Sequence, residues 1–173
     1  MRDRPRNPLR TPPRYSTRPL PPYAFLPGET PHPTRDPGGH SRDEISAPPA
    51  SWIPDDWRTL DEWRWAVDLF NREYWWECHE ALEGLWHASG RTTPHARFAQ
   101  SLVHLSAALL NRRRKHDAAS RRQAARALRG LRAARTLGPV VMGVDLERLA
   151  DDVRSAFSGS GPPPRITLAE EPS

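Results

Sequence analysis

Fourteen of the chain's 20 prolines precede Asp55, and from Asp55 to Ser158 only Pro94 and Pro139 remain. Proline lacks a backbone N–H and its ring collides with the preceding helical turn. A helical domain is therefore confined to about 51–158, and a segment this rich in Pro, Arg and Gly and poor in aliphatic residues is expected to stay disordered over 1–50. The same reading applies to 159–173, which begins GSGPPPR.

Within that window apolar residues recur at helical spacing. Thr59 and Glu62 have the spacing of a capping box, followed by Leu60, Trp63, Val67 and Phe70 on one stripe, which predicts a helix over 60–70. A second helix is expected from Asn71, as N-cap, to the stop at Gly90, with Phe70 and Trp75 placed as a hydrophobic staple. Thr93 and Pro94 open a third, running to about Arg113 and apolar around most of its axis, hence central. A fourth is expected over 118–136, with small residues that permit close packing, and a last one begins after Asp145 as cap. The fold class is all-α, a compact bundle of about five helices with a disordered N-terminal arm. Trp52, Trp57 and Trp65 lie off or before these stripes, so they either cover a bundle seam or mark a partner surface such as a homodimer contact.

The unusual residues gather in 71–86, NREYWWECHEALEGLW. Trp75, Cys78, Leu82, Leu85 and Trp86 share one face at about 100° per residue, the expected core side. His79 and Glu83, four apart, sit at its edge with Glu80 beside them, while Glu77 falls on the far side and is expected in solvent. A neutral imidazole and a carboxylate one turn apart can share a cation or exchange a proton. They can equally hydrogen-bond each other or a neighbouring helix and do no more. On the third helix Gln100, His104 and Asn111 are the polar exceptions, and they need partners if buried.

Other classes are excluded or weakened. No segment approaches the roughly 20 apolar residues of a membrane span, and Met1–Arg18 lacks the apolar run of a signal peptide, so a soluble, cytoplasmic protein is expected. The single cysteine, Cys78, excludes an internal disulfide and suits a reducing compartment. The net charge of +5 raises nucleic acid as a partner, but 51–158 holds 17 Lys and Arg against 14 Asp and Glu, so a solvated face is favoured over a nucleic-acid surface.

With these residues in view, the segment from about 61 to 157 resembles the bacterial domain-of-unknown-function family 309, often labelled a predicted metal-dependent hydrolase. The resemblance rests on Phe70, Asn71, Trp75, Trp76, Glu77, Cys78, His79, Glu80, Leu82, Glu83 and Trp86, then on Gln100–Leu110 (QSLVHLSAALL), where His104 stands in place of a common glutamine, and on Gly143-Val-Asp145. Glu73 replaces a glycine common in the family, and Ala118 and Ala119 replace a glycine-alanine pair. The resemblance implies an all-helical bundle with a pocket around the first two motifs.

Two functions of different class follow. In the first, His79 and Glu83 bind a divalent cation (Zn, Mn or Fe), His104 completes or orients the site, Glu80 is the base, and Gln100, Trp76 and Asn111 hold an unidentified small molecule. In the second, the chain is a non-catalytic interaction or scaffold module for a protein partner, and the His/Glu cluster is a structural hydrogen-bond network.

Overall fold

The computed structural model describes residues 11–42, 56–159 and 161–169. Among the described residues five helices form the body: α1 (Asp61–Asn71), α2 (Trp75–Ala88), α3 (Pro94–Arg113), α4 (Asp117–Ala134) and α5 (Leu146–Ser158). None is long and apolar enough to cross a membrane.

The central helix is α3, packed between α2 and α4. Its start follows local chemistry: the Thr93 hydroxyl accepts from the Ala96 N–H and Pro94 occupies the first turn, where the missing N–H costs nothing. Phe98, Leu102, Leu105 and Leu109 are buried along it. Small residues bring α4 close. A Cβ built on Gly130 would lie 2.6 Å from the Ser101 Cβ, and the Ser120 hydroxyl donates to the Ala108 carbonyl across the seam at 2.9 Å.

Between α4 and α5 a 3-10 turn (Arg135–Leu137) leads into a two-strand hairpin, β1 (Val140–Val141) and β2 (Val144–Asp145). Its turn residues Met142 and Gly143 both have positive φ, +48° and +77°, the mirror-image turn whose twist suits an antiparallel pair. Trp57 lies over Gly143 so closely that a Cβ there would meet its ring at 2.6 Å, and the Trp63 indole donates to the Met142 carbonyl. The Asp145 side chain then accepts from the Arg148 N–H and caps α5, as its position predicts.

The α1–α2 junction differs from expectation. Asn71 is the last residue of α1 and caps nothing in α2, which begins at Trp75 with no side-chain cap. Its amide instead clamps the C-terminal segment, donating to the Ile166 carbonyl (2.7 Å) and accepting from the Ile166 N–H (2.8 Å). Glu73 in the intervening turn has φ +67°, a left-handed conformation that explains why glycine suits this position in the family it resembles. The Thr59–Glu62 capping box also does not form, because the Thr59 hydroxyl donates back to the Asp56 carbonyl.

Both flanks, over 11–42 and 161–169, pack on the bundle. Residues 11–42 contain no helix or strand, as their prolines require, yet they follow a defined path over α1 and α2. Tyr15 and Ser16 donate backbone N–H groups to the Asp68 carboxylate, Arg18 stacks on Trp65 at 4.1 Å, and Phe25 is buried beside Trp76. The rest of the expected arm, 1–10 and 43–50, lies outside the described residues, as does Trp52. At the other end 161–169 is docked where a disordered tail was expected: Ile166 and Leu168 are buried and Leu168 bridges Val144. Two apolar side chains in a short Pro-rich segment suffice for this because Asn71 satisfies both backbone groups of Ile166 and the Tyr15 hydroxyl accepts from the Leu168 N–H.

Cys78, fully buried on the core face of α2, receives the Ser106 hydroxyl at 3.4 Å. Burial pushes its thiol from an ordinary value near 9 up to about 12. The folded state thus holds the proton more tightly than the unfolded chain, so this contribution to stability is intact below about pH 9 and is lost as pH rises towards 12. The expected result is a native thiol inert to a disulfide reagent at about pH 8, reacting at full rate only after denaturation. Rapid native labelling would contradict the burial.

Candidate functional site

The outer side of α2 carries His79, Glu80, Glu83 and His87. One ligand atom from each of His79, Glu80 and Glu83 lies within 4.8 Å of the others, and His79 Nδ1 is 3.4 Å from Glu80 Oε1. Their side chains are 30%, 50% and 41% exposed, so a cation among them would keep water ligands. His87 Nε2 stands 4.0 Å from Glu83, while its Nδ1 accepts from Arg91 Nε at 3.0 Å and is thereby occupied.

The remaining residues expected at the site are distributed differently. His104 is not in that cluster; its Nδ1 meets Gln123 Oε1 of α4 at 2.9 Å. That oxygen can only accept, so the neutral ring carries its hydrogen on Nδ1 and leaves Nε2 with the lone pair. Burial first, then the charges of Arg126, His79 and Arg129, lower the His104 pKa against the opposing bond to Gln123. The ring is therefore neutral at physiological pH. Gln100 and His104 line a cleft of about 430 Å³ between α3 and α4, walled by Arg91, Arg97, Arg126 and Arg129. Trp76 is occupied by the arm, with edge contacts to Phe25 and His32. Asn111 donates to the Ala107 carbonyl of its own helix. Trp86, expected in the core, is partly exposed and donates to the Arg91 carbonyl.

Glu77 reverses its expectation. It is only 5% exposed, because the arm covers the side of α2 that the bundle leaves open. Its Oε1 accepts from the Phe25 N–H at 2.8 Å and meets His40 Nε2 at 3.1 Å, and His40 Nδ1 lies 2.8 Å from the Ser41 hydroxyl. Glu77 Oε2 is buried with no hydrogen-bond partner among the described residues. Nothing local to α2 signals this pair, since its partners lie 52 and 37 residues upstream. The available signal was the run Tyr23-Ala-Phe25-Leu26, unusually apolar for a disordered arm.

No curated protein and no solved structure matches the chain. Residues 63–123 match the profile of the domain of unknown function DUF309, a span that takes in most of α1, all of α2 and α3, and α4 as far as the Gln123 that holds His104. Over that segment, which carries both the His79, Glu80 and Glu83 cluster and His104, the chain is similar to the DUF309 family.

Proposed function

We propose that this DUF309 domain binds a divalent cation on the outer face of α2 and acts as a metal-dependent hydrolase. The observation that carries the reading is the convergence of one imidazole and two carboxylates within 4.8 Å. A mixed N and O donor set suits Zn, Mn or Fe better than a soft ion. A bound divalent cation supplies Lewis acidity and makes water acidic enough to lose a proton near neutral pH. In this reading His79 and Glu83 hold the cation and Glu80, beside His79, accepts the proton. Gln100 and His104 Nε2 contact substrate in the adjoining cleft.

Calorimetric titration of tag-free protein with zinc, manganese and ferrous iron tests it. One-to-one binding is expected, weakened at least about tenfold in His79→Ala and in Glu83→Gln, the loss typical of a removed ligand. Absence of binding by all three metals would sink the metal reading. The second function, a non-catalytic interaction module, is favoured by a different observation: Asp68 and Glu77 already hold extended backbone on α1 and α2 as a bound peptide would be held. It expects His79→Ala to leave partner capture unchanged.

A further inference from the structure

We propose that the cleft between α3 and α4 binds the phosphate group of a small hydroxylated phosphoester. The inference does not depend on the cation site. Four guanidinium groups from three parts of the chain line one concavity: Arg91 before α3, Arg97 in its first turns, and Arg126 and Arg129 three apart on α4. The two on α4 share a face because Ala124, Ala127 and Leu131 turn the opposite face into the core. Gly130 brings that helix against Ser101, which narrows the gap until both walls reach one ligand.

Charge makes the cleft a poor solvated face and a good anion site. Between Pro94 and Ala134 the chain has nine arginines and one lysine against a single acid, Asp117. Elsewhere Arg14, Arg72, Arg113, Arg135 and Arg154 each meet a carboxylate. Among the described residues Arg97, Arg126 and Arg129 form no ion pair, and no carboxylate lines the cleft. Clustered guanidiniums without counter-charge repel one another, and a dianion would turn that repulsion into several charge-assisted hydrogen bonds. The neutral hydrogen-bonding groups of Thr92, Gln100 and His104 share the same lining and suit hydroxyls on the organic part. At about 430 Å³ the cleft falls within the size range of small-molecule sites. A nucleic-acid strand would need a groove that continues along its backbone.

The test uses the full chain at constant ionic strength, titrated with ribose 5-phosphate, ribose, inorganic pyrophosphate and a single-stranded oligonucleotide. Ribose 5-phosphate is expected to saturate one site with Kd below about 1 mM, pyrophosphate to compete with it, and ribose to show no binding. Replacing both Arg126 and Arg129 by Gln should weaken ribose 5-phosphate at least about tenfold. Arg121→Gln with Arg132→Gln, an equal charge change on exposed residues of α4 outside the cleft, should leave it within about twofold. Both pairs are exposed, so the apo melting temperature reports whether either perturbs the fold. Equal weakening by the two pairs would reduce the effect to general charge and overturn the proposal. So would an absence of saturation, or tight oligonucleotide binding to which all four arginines contribute alike.

Discussion

Replacing Asp68 by Ala is expected to destabilise the protein by about 3–5 kcal/mol, the range for removing one partner of a buried charge network. Asp68 is fully buried near the end of α1 and serves four groups: the backbone N–H of Tyr15, that of Ser16 at 2.8 Å, Arg14 Nε at 3.2 Å and Arg72 Nη1 at 3.3 Å. Burial lowers the Arg72 pKa from its ordinary value, and Asp68 is what opposes that shift. Without the carboxylate, Arg72 becomes a mostly buried cation beside Arg14, and the buried Ser16 N–H and part-buried Tyr15 N–H lose their acceptor. At the few degrees per kcal/mol typical of a domain this size, the melting temperature should fall by about 10–20 °C. Trypsin should also cut after Arg14 faster than in the wild type, because the arm's anchor is gone. A loss below about 1 kcal/mol with Arg14 still protected would show that the arm contributes little to the fold.

Asp68 also illustrates why the arm was only half legible in the sequence. Proline content correctly forbids helix over 11–42, and that inference says nothing about whether an extended chain has somewhere to dock. Docking needed acceptors for backbone N–H groups, and the acceptors are Asp68 and Glu77, each about fifty residues downstream. On a helical wheel Glu77 is indistinguishable from a solvated glutamate, because the surface that buries it belongs to another segment. The signals that did carry through were local: proline after Thr93 and aspartate before Leu146 mark helix starts through bonds made within three residues.

The candidate site divides along the same line. His79, Glu80 and Glu83 lie on one helix within a turn of one another, so spacing alone brings their ligand atoms together. His104 depended on the rotation of α3 between two neighbours, and its polar partner turned out to be Gln123 in α4. The arginine cleft was hidden for a related reason. Arg126 and Arg129 read as a solvated basic stripe until Arg91 and Arg97 face them across a gap whose width Gly130 sets.

Asn71 separates the local reading from the observed structure most sharply. As an N-cap it would tolerate Asp without loss, since the two residues cap equally well and a negative charge suits a helix start. As the last residue of α1 it both donates to and accepts from Ile166, a pairing that aspartate cannot make. The expected result for Asn71→Asp is a loss of about 2–4 kcal/mol at neutral pH, because a buried carboxylate would face the Ile166 carbonyl at the negative end of a helix. Asn71→Ala, which removes the bonds without adding charge, should cost less, about 1–3 kcal/mol. The ordering Asp worse than Ala is the diagnostic, read from chemical denaturation midpoints. The pH dependence follows from the same placement. The new carboxyl would have its pKa raised in the folded state, so the deficit is largest at neutral pH and shrinks as pH falls and the protonated acid again donates to Ile166. Asn71 and Asp68 sit three residues apart on α1, and the segments they hold meet where the Leu168 N–H donates to the Tyr15 hydroxyl at 3.2 Å. Loss of one clamp therefore loosens the support of the other, and the Asp68→Ala, Asn71→Asp double variant should lose measurably less than the sum of the single losses. Strict additivity, or an Asn71→Asp protein as stable as the wild type, would mean that the two flanks dock independently or that the tail contributes nothing.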